Sequence, residues 1–241
     1  MISILPVAGL PEIRQGDDLG ELIAGAAALE DGDVVVVAQK VVSKAEGRVV
    51  RLDELDPSPR AVELAGDERD PRELEAILRE SVRVVRERGP LVIAETRHGF
   101  VCASAGVDHS NAPEPGMLVL LPLDPDASAR AIRDSIRSLS GREVAVVVSD
   151  SFGRPFRHGT TDIAIGVAGL RPLLDLRGTR DRVGVELRTT QIAVADELAA
   201  AANLVRGKAD GTAAVVVRGF AARGDGAARE LVLEPERDLF R

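Results

Sequence analysis

The chain has 241 residues, 45% hydrophobic and 29% charged, with a net charge of −8, so it can bury a substantial core and shows no general nucleic-acid footprint. Aromatics make up only 2%, with no Trp and no Tyr, which leaves the core to Val, Leu, Ile and Ala. Its one cysteine, Cys102, excludes an internal disulfide framework, and the lack of a signal-like start or a long apolar stretch places the expected protein in the cytoplasm.

In chain order, residues 17–30 read as a helix with Asp at its start. Residues 33–42, "DVVVVAQKVV", read as a buried strand. The softest stretch, 51–70, is a place where two lobes could join. Residues 70–88 read as one long helix: Asp70 caps it, Pro71 opens it, and Arg fills the last turn. Strands are expected at 90–96 and 117–122, and a helix ending at Gly at 126–141. A strand at 143–150 leads into a polar loop, a second helix ending at Gly covers 190–207, and a last strand lies at 213–220. Residues 221–230 read as an exposed loop. No internal repeat or composition shift fixes a domain boundary.

Four polar clusters sit where strands end, the usual place for ligands in α/β chains. In the first, 10–19, Pro11 precedes a capped helix start that can offer N–H groups to an anion; on these residues alone an ordinary connecting loop is the stronger reading. In the second, 38–48, Lys40, Ser43 and Lys44 follow a strand; they suit phosphate oxygens, or are simply solvated. In the third, 97–116, small residues lead to Asp108, Ser110 and Asn111, hard oxygen donors suited to Mg2+ or Mn2+, or an Asx-rich turn. The fourth is "VVVSDSFGRPFRHGTT", 146–161: Asp150 ends a strand, Ser151 follows, and Arg154 and Arg157 come next. A strand-end carboxylate holds metal in many phosphoryl-transfer sites, while an Asp–Arg structural pair is the plain alternative.

Several absences narrow the field. There is no P-loop, no G-x-G-x-x-G and no G-x-S-x-G. His98 and His109 are not spaced as a zinc site, and Cys102 lies in an apolar stretch that suits a small core residue. The residues alone thus describe a cytoplasmic enzyme using a divalent metal and a phosphorylated acidic ligand.

The set "GLPEI", "QKVVSKAEGR", "ETRHGFVCASAGVDHSN", "VVVSDSFGRPFRHG", "ADELAAAANLVRG", "AVVVRG" and "ERDLFR" resembles, in order and over nearly the whole chain, the coenzyme F-420-0:gamma-glutamyl ligase family. The resemblance implies an α+β fold of mixed sheets with flanking helices, a two-lobed monomer in an intertwined homodimer. It implies one catalytic unit over 1–241, in the stand-alone form without a nitroreductase-like domain. It implies GTP contacts at Leu10, Pro11, Glu12, Ile13, Gln39, Lys44 and Asn111, and along Gly207, Lys208, Ala209, Asp210 and Gly211. Asp108 and Asp150 would hold one divalent ion, Mg or Mn, and Ser151 would help hold a second, with room for a monovalent cation such as K+. One position departs: Lys208 stands where the family pattern has Glu or Gln for the second ion, and a charged lysine cannot ligate, so either the second ion site is disrupted or Asp210 substitutes.

The implied reaction is GTP-driven addition of L-glutamate to a deazaflavin precursor through an acyl phosphate, releasing GDP and phosphate, with further gamma-linked glutamates in later rounds. Arg154 and Arg157 are the candidates for holding the acidic acceptor tail and glutamate. The implied partners are these small molecules and a second copy of the chain, with no nucleic acid and no membrane. Two other readings share the same residues: a metal-dependent kinase or phosphatase on another small acid, and a non-catalytic deazaflavin- or GTP-binding protein.

Overall fold

The computed structural model describes residues 1–207, 211–222 and 224–239. The first half of the chain gives β1 (Ser3–Pro6), α1 (Leu19–Ala26), β2 (Val34–Ala38), α2 (Gln39–Ala45), β3 (Val49–Arg51), α3 (Pro59–Ala65), α4 (Pro71–Glu80), β4 (Ser81–Arg88), β5 (Leu91–Thr96), β6 (Val101–Ala103) and β7 (Met117–Val119). The second half gives α5 (Pro125–Ser140), β8 (Ala145–Arg154), β9 (Arg157–Ala168), β10 (Leu174–Asp175), β11 (Gln191–Ile192), α6 (Val194–Arg206) and β12 (Ala214–Arg218). The expected α+β class is met. No helix among the described residues is long and apolar enough to cross a membrane.

A five-stranded mixed sheet forms the centre, in the order β1-β12-β2-β8-β9. Only β2 and β8 run parallel, in register Val34↔Ala145 to Ala38↔Ser149. The all-valine run of β2 is buried on both faces, as a central strand requires. Alternation sends Val35, Val37, Val146 and Val148 to one face, where Ile23 of α1 and Ile132 and Ile136 of α5 cover them. Val34, Val36, Ala145 and Val147 face the other way, under Ala195, Leu198, Ala199 and Ala202 of α6. Gly166 lets β9 approach the start of α5: a Cβ there would sit 2.2 Å from the Pro125 carbonyl oxygen.

The edge of β2 is pinned by charge. Asp33 is 1% exposed and takes Nε and Nη2 of Arg218 at 2.9 and 2.8 Å, while the Glu30 N–H donates to it at 2.8 Å. Burial alone would raise its pKa, but the Arg218 and Glu30 hydrogen bonds outweigh it and hold the carboxyl below its usual value.

A separate core lies in the crossover between β2 and β8. Leu64 of α3, Leu74 and Ile77 of α4, Val92 and Ala94 of β5, and Leu118 of β7 close on one another there. They are backed by the three-stranded sheet β4-β5-β6 and the pair β3-β7. Arg48 ties this core to the strand-end region: Nη2 meets Glu80 Oε2 at 2.8 Å and Nε meets the Leu121 carbonyl at 2.9 Å.

Three sequence expectations are corrected. The strand expected at 33–42 ends at Ala38, where α2 begins at once. The helix expected at 70–88 stops at Glu80: Ser81 is extended at φ −93° and ψ 134°, and the β-branched Val82, Val84 and Val85 continue as β4. The loop expected after Asp150 is instead the rest of β8, turning at Pro155 and Phe156 into β9. Two caps shift as well, to Asp18 for α1 and Asp124 for α5.

Candidate active site

Because β2 passes straight into α2, the polar residues of α2 stand over the end of the central sheet. Lys40, half-buried, donates from Nζ to Asp108 Oδ2 at 2.7 Å, to the Ser110 carbonyl at 2.9 Å and to the Ser110 hydroxyl. Asp108 also accepts the Ser110 N–H at 2.8 Å. Burial works against its charge, but Lys40 and Ser110 prevail and keep its carboxyl below the ordinary range. The backbone around it is strained: Ser104, Ala105 and Asn111 have φ of 53°, 49° and 56°. Such left-handed non-glycine residues concentrate at ligand sites.

Asp150 lies on the same side of the sheet. Its carboxyl is pushed up to about 7, first by burial and then by the charges of Asp162 and Asp108; the Ser151 N–H at 2.8 Å and Lys40 pull the other way. Cys102 beside it is pushed up to about 12 by burial and by the Asp150 charge, which leaves an inert core thiol.

Strand alternation turns Ser151 to the opposite face from Asp150. There its hydroxyl donates to Asp162 Oδ1 at 2.6 Å across the Ser151↔Asp162 register. Ser149 donates to Asp162 Oδ2 at 3.2 Å, and Arg206, the last residue of α6, pairs with that same oxygen. Asp150 and Ser151 therefore present their side chains on opposite sides of one strand.

The other sequence candidates fall around these two faces. Leu10 and Ile13 pack on the main core, with Pro11 and Glu12 exposed between them. Glu12 Oε1 receives Lys44 Nζ at 2.6 Å, so two of the candidate GTP residues meet each other. Both amide protons of Gln39 are committed, to Ser43 Oγ at 2.6 Å and the Leu120 carbonyl at 3.0 Å. Asn111 is exposed near Asp108. Gly207 ends α6 at φ 61° and Gly211 has φ 71°, while Lys208, Ala209 and Asp210 lie outside the described residues.

Arg154 and Arg157 are the outliers. They flank the β8–β9 turn, and at ~3.3 Å per residue Arg154 stands roughly 13 Å along the strand from Asp150. Arg154 Nη2 donates to the His158 carbonyl at 2.8 Å.

Two residues were missed from the sequence, Asp162 and Arg206. Asp162 sits mid-strand directly before the apolar run Ile163–Ala168, and that was the available signal: a charge at the head of a buried run is itself buried and has to be paired. Lys40 stands out in the sequence as a cation after a strand, and the fold sets it directly on Asp108.

The donor set decides whether a divalent ion fits. Asp108 and Asp150 offer hard oxygens, and the burial of Asp150 outweighs the help of Lys40 and the Ser151 N–H, a penalty that a cation would reduce. Among the described residues no three His, Cys, Asp or Glu side chains form a ready metal cage. Two protein carboxylates with the remaining shell left to phosphate oxygens and water is the habit of Mg2+ at nucleotide sites, so the residues fit.

The model of the F420-0:Gamma-glutamyl ligase family matches residues 9–219. The chain belongs to that family. Coenzyme F420:L-glutamate ligase of Methanothermobacter thermautotrophicus is 47% identical over 100% of this chain and 99% of its own length. The protein of the same name from Methanopyrus kandleri is 49% identical over 100% and 98%, and that from Archaeoglobus fulgidus 46% over 100% and 96%. Gamma-glutamyl ligase membership makes this chain an enzyme that forms a bond between an acid and an amino acid, and the Lys40–Asp108–Asp150 cluster lies well within the matched span.

Proposed function

We propose that the protein adds L-glutamate to the deazaflavin precursor coenzyme F420-0, and then to the resulting gamma-carboxylate, at the expense of GTP. The observation that carries this reading is the meeting of Lys40, Asp108 and Asp150 at the end of the β2–β8 pair, a cationic and carboxylate cluster of the kind phosphoryl transfer uses. A precursor carboxylate oxygen forms a bond to the GTP γ-phosphorus while the bond to the β–γ bridging oxygen breaks, releasing GDP. The glutamate amine then attacks the acyl carbon, loses a proton, and phosphate leaves with its oxygen.

In this reading Asp108 and Asp150 hold one Mg2+ or Mn2+ ion and Ser151 contributes to a second; when bound, such ions neutralise phosphate charge. Lys40 stands beside Asp108 and can turn its ammonium to the phosphate oxygens. Lys44 and Glu12, which pair with each other, are proposed to contact the nucleotide together with the rest of the 10–13 segment, Gln39 and Asn111, and the sequence resemblance adds residues 207–211. Arg154 and Arg157, on their projecting hairpin, are proposed to hold the acidic tail and glutamate, with a second copy of the chain completing a homodimer.

The test is incubation of the chain with GTP, Mn2+, L-glutamate and the precursor. The expected product is heavier by one glutamyl unit, with GDP formed in step. GDP released regardless of glutamate would favour a kinase or phosphatase, and nucleotide binding without turnover a binding protein. Asp150→Asn should lower kcat by about 10²–10³-fold, the scale of losing one charge-stabilising group; unchanged turnover would remove Asp150 from the site.

A further inference from the structure

The charge pair on the α6 face of the sheet has no part in the reading above. Asp162 is 2% exposed and Arg206 5%. A buried ion pair is seldom more stable than the apolar side chains that would fill the same space, so its presence calls for another use. Its hydrogen bonds are selective. The two oxygens of Asp162 are given to Ser149 and Ser151, the residues on either side of Asp150. Arg206 Nη2 also donates to Ser149 Oγ at 2.9 Å, while its Nη1 is buried without a hydrogen-bond partner. Arg206 is the last residue before Gly207, so the pair joins the end of α6 to the strand that carries Asp150.

We infer that Asp162, held by Arg206, is a positioning residue that takes the Ser151 hydroxyl proton and so leaves the lone pairs of Oγ, and not its proton, open to a ligand on the α6 side of the strand. A carboxylate only accepts hydrogen bonds. With Asp162 Oδ1 taking the single hydroxyl proton, the half-buried Ser151 Oγ is left as a pure acceptor, suited to a cation and unsuited to a phosphate oxygen. Ser149 cannot take this part, because Arg206 and Asp162 occupy both sides of its hydroxyl. The inference rests on the reading of Ser151 as a metal donor.

The conservative variant makes a sharp test. In Asp162→Asn, Arg206 would claim the amide oxygen and leave the NH2 facing Ser151. The serine hydroxyl would then accept, and its proton would turn outward. Mn2+ binding to the full chain is followed by the electron paramagnetic resonance of free Mn2+, with and without GDP, beside a thermal melt of each variant. Ser151→Ala and Asp162→Asn are each expected to weaken one Mn2+ site about 10-fold, as loss of an outer-shell partner does. Added to Ser151→Ala, Asp162→Asn should change it by less than about 2-fold, since the two act through one oxygen.

Unchanged Mn2+ binding in Ser151→Ala would remove Ser151 as a donor, and the inference with it. A loss in Ser151→Ala but none in Asp162→Asn would overturn the inference alone, as would equal further loss in the double variant. If Asp162→Asn does not fold, the neutral pair Asp162→Leu with Arg206→Met replaces it; it should weaken Mn2+ binding as far as Ser151→Ala does, and wild-type binding there overturns the inference.

Discussion

Lys40 shows what a single side chain contributes here. It is the nearest positive charge to Asp108, and it counters Asp150 as well. Lys40→Met keeps much of the apolar stem and removes the charge. It should lower kcat/KM for GTP by about 10²-fold, as loss of one charge-stabilising donor does, while the melting temperature stays within a few degrees; steady-state kinetics and a thermal scan check both. Asp33 acts on stability instead. Its carboxyl is held below its unfolded value of 3.8, so the stabilisation is fully present above about pH 4 and is lost as pH falls through the lower, folded pKa. Asp33→Asn should therefore cost about 1.5–3 kcal/mol at pH 7, the worth of hydrogen bonds to a charged group. The gap from wild type should shrink below pH 4 in urea melts; a constant gap would mean that the charge is not the cause.

Among the elements, β9 and α5 meet most tightly at Gly166. Gly166→Ala would drive a methyl group into the Pro125 carbonyl and should destabilise the fold by about 1–3 kcal/mol in urea unfolding, the usual range for overpacking. Strands of the central sheet were readable because the valine runs of β2, β8 and β12 are apolar on both faces. The break at Ala38 was not, because "AQKVV" continues the apolar pattern while the chain turns into α2. The 70–88 segment misled for a related reason: its charged residues suit a helix surface and an exposed edge strand alike, and pairing of β4 with β5 settles the outcome. Asp108 and Asp150 were legible as site residues because each stands out locally against small or apolar neighbours. Asp162 and Arg206 were not, since their pairing spans 44 positions and depends on how α6 lies over the sheet.

At the scale of the whole molecule, apolar clusters on both faces of the central sheet and a third in the crossover share one chain, and Arg48–Glu80 is a charged link at their junction. The 173–193 excursion carries β10 and β11 away from them, and leaves Leu174, Val183 and Val185 at 45%, 76% and 60% exposure. In the homodimer proposed above, this segment is expected to be covered. Sedimentation velocity should give a dimer for the wild type, and Val183→Asp with Val185→Asp should shift it toward monomer; a monomeric wild type would refute the assembly.

The strand order carries a consequence for biosynthesis. β12, the last strand to be translated, fills the slot between β1 and β2, which are among the first. A nascent chain leaving the ribosome therefore holds the valine backbone of β2 half unpaired until residues 214–218 emerge. The core of the crossover, whose apolar cluster draws on residues between Val50 and Leu120, emerges well before that. Early strands that wait for a late partner slow folding and expose a sticky edge meanwhile.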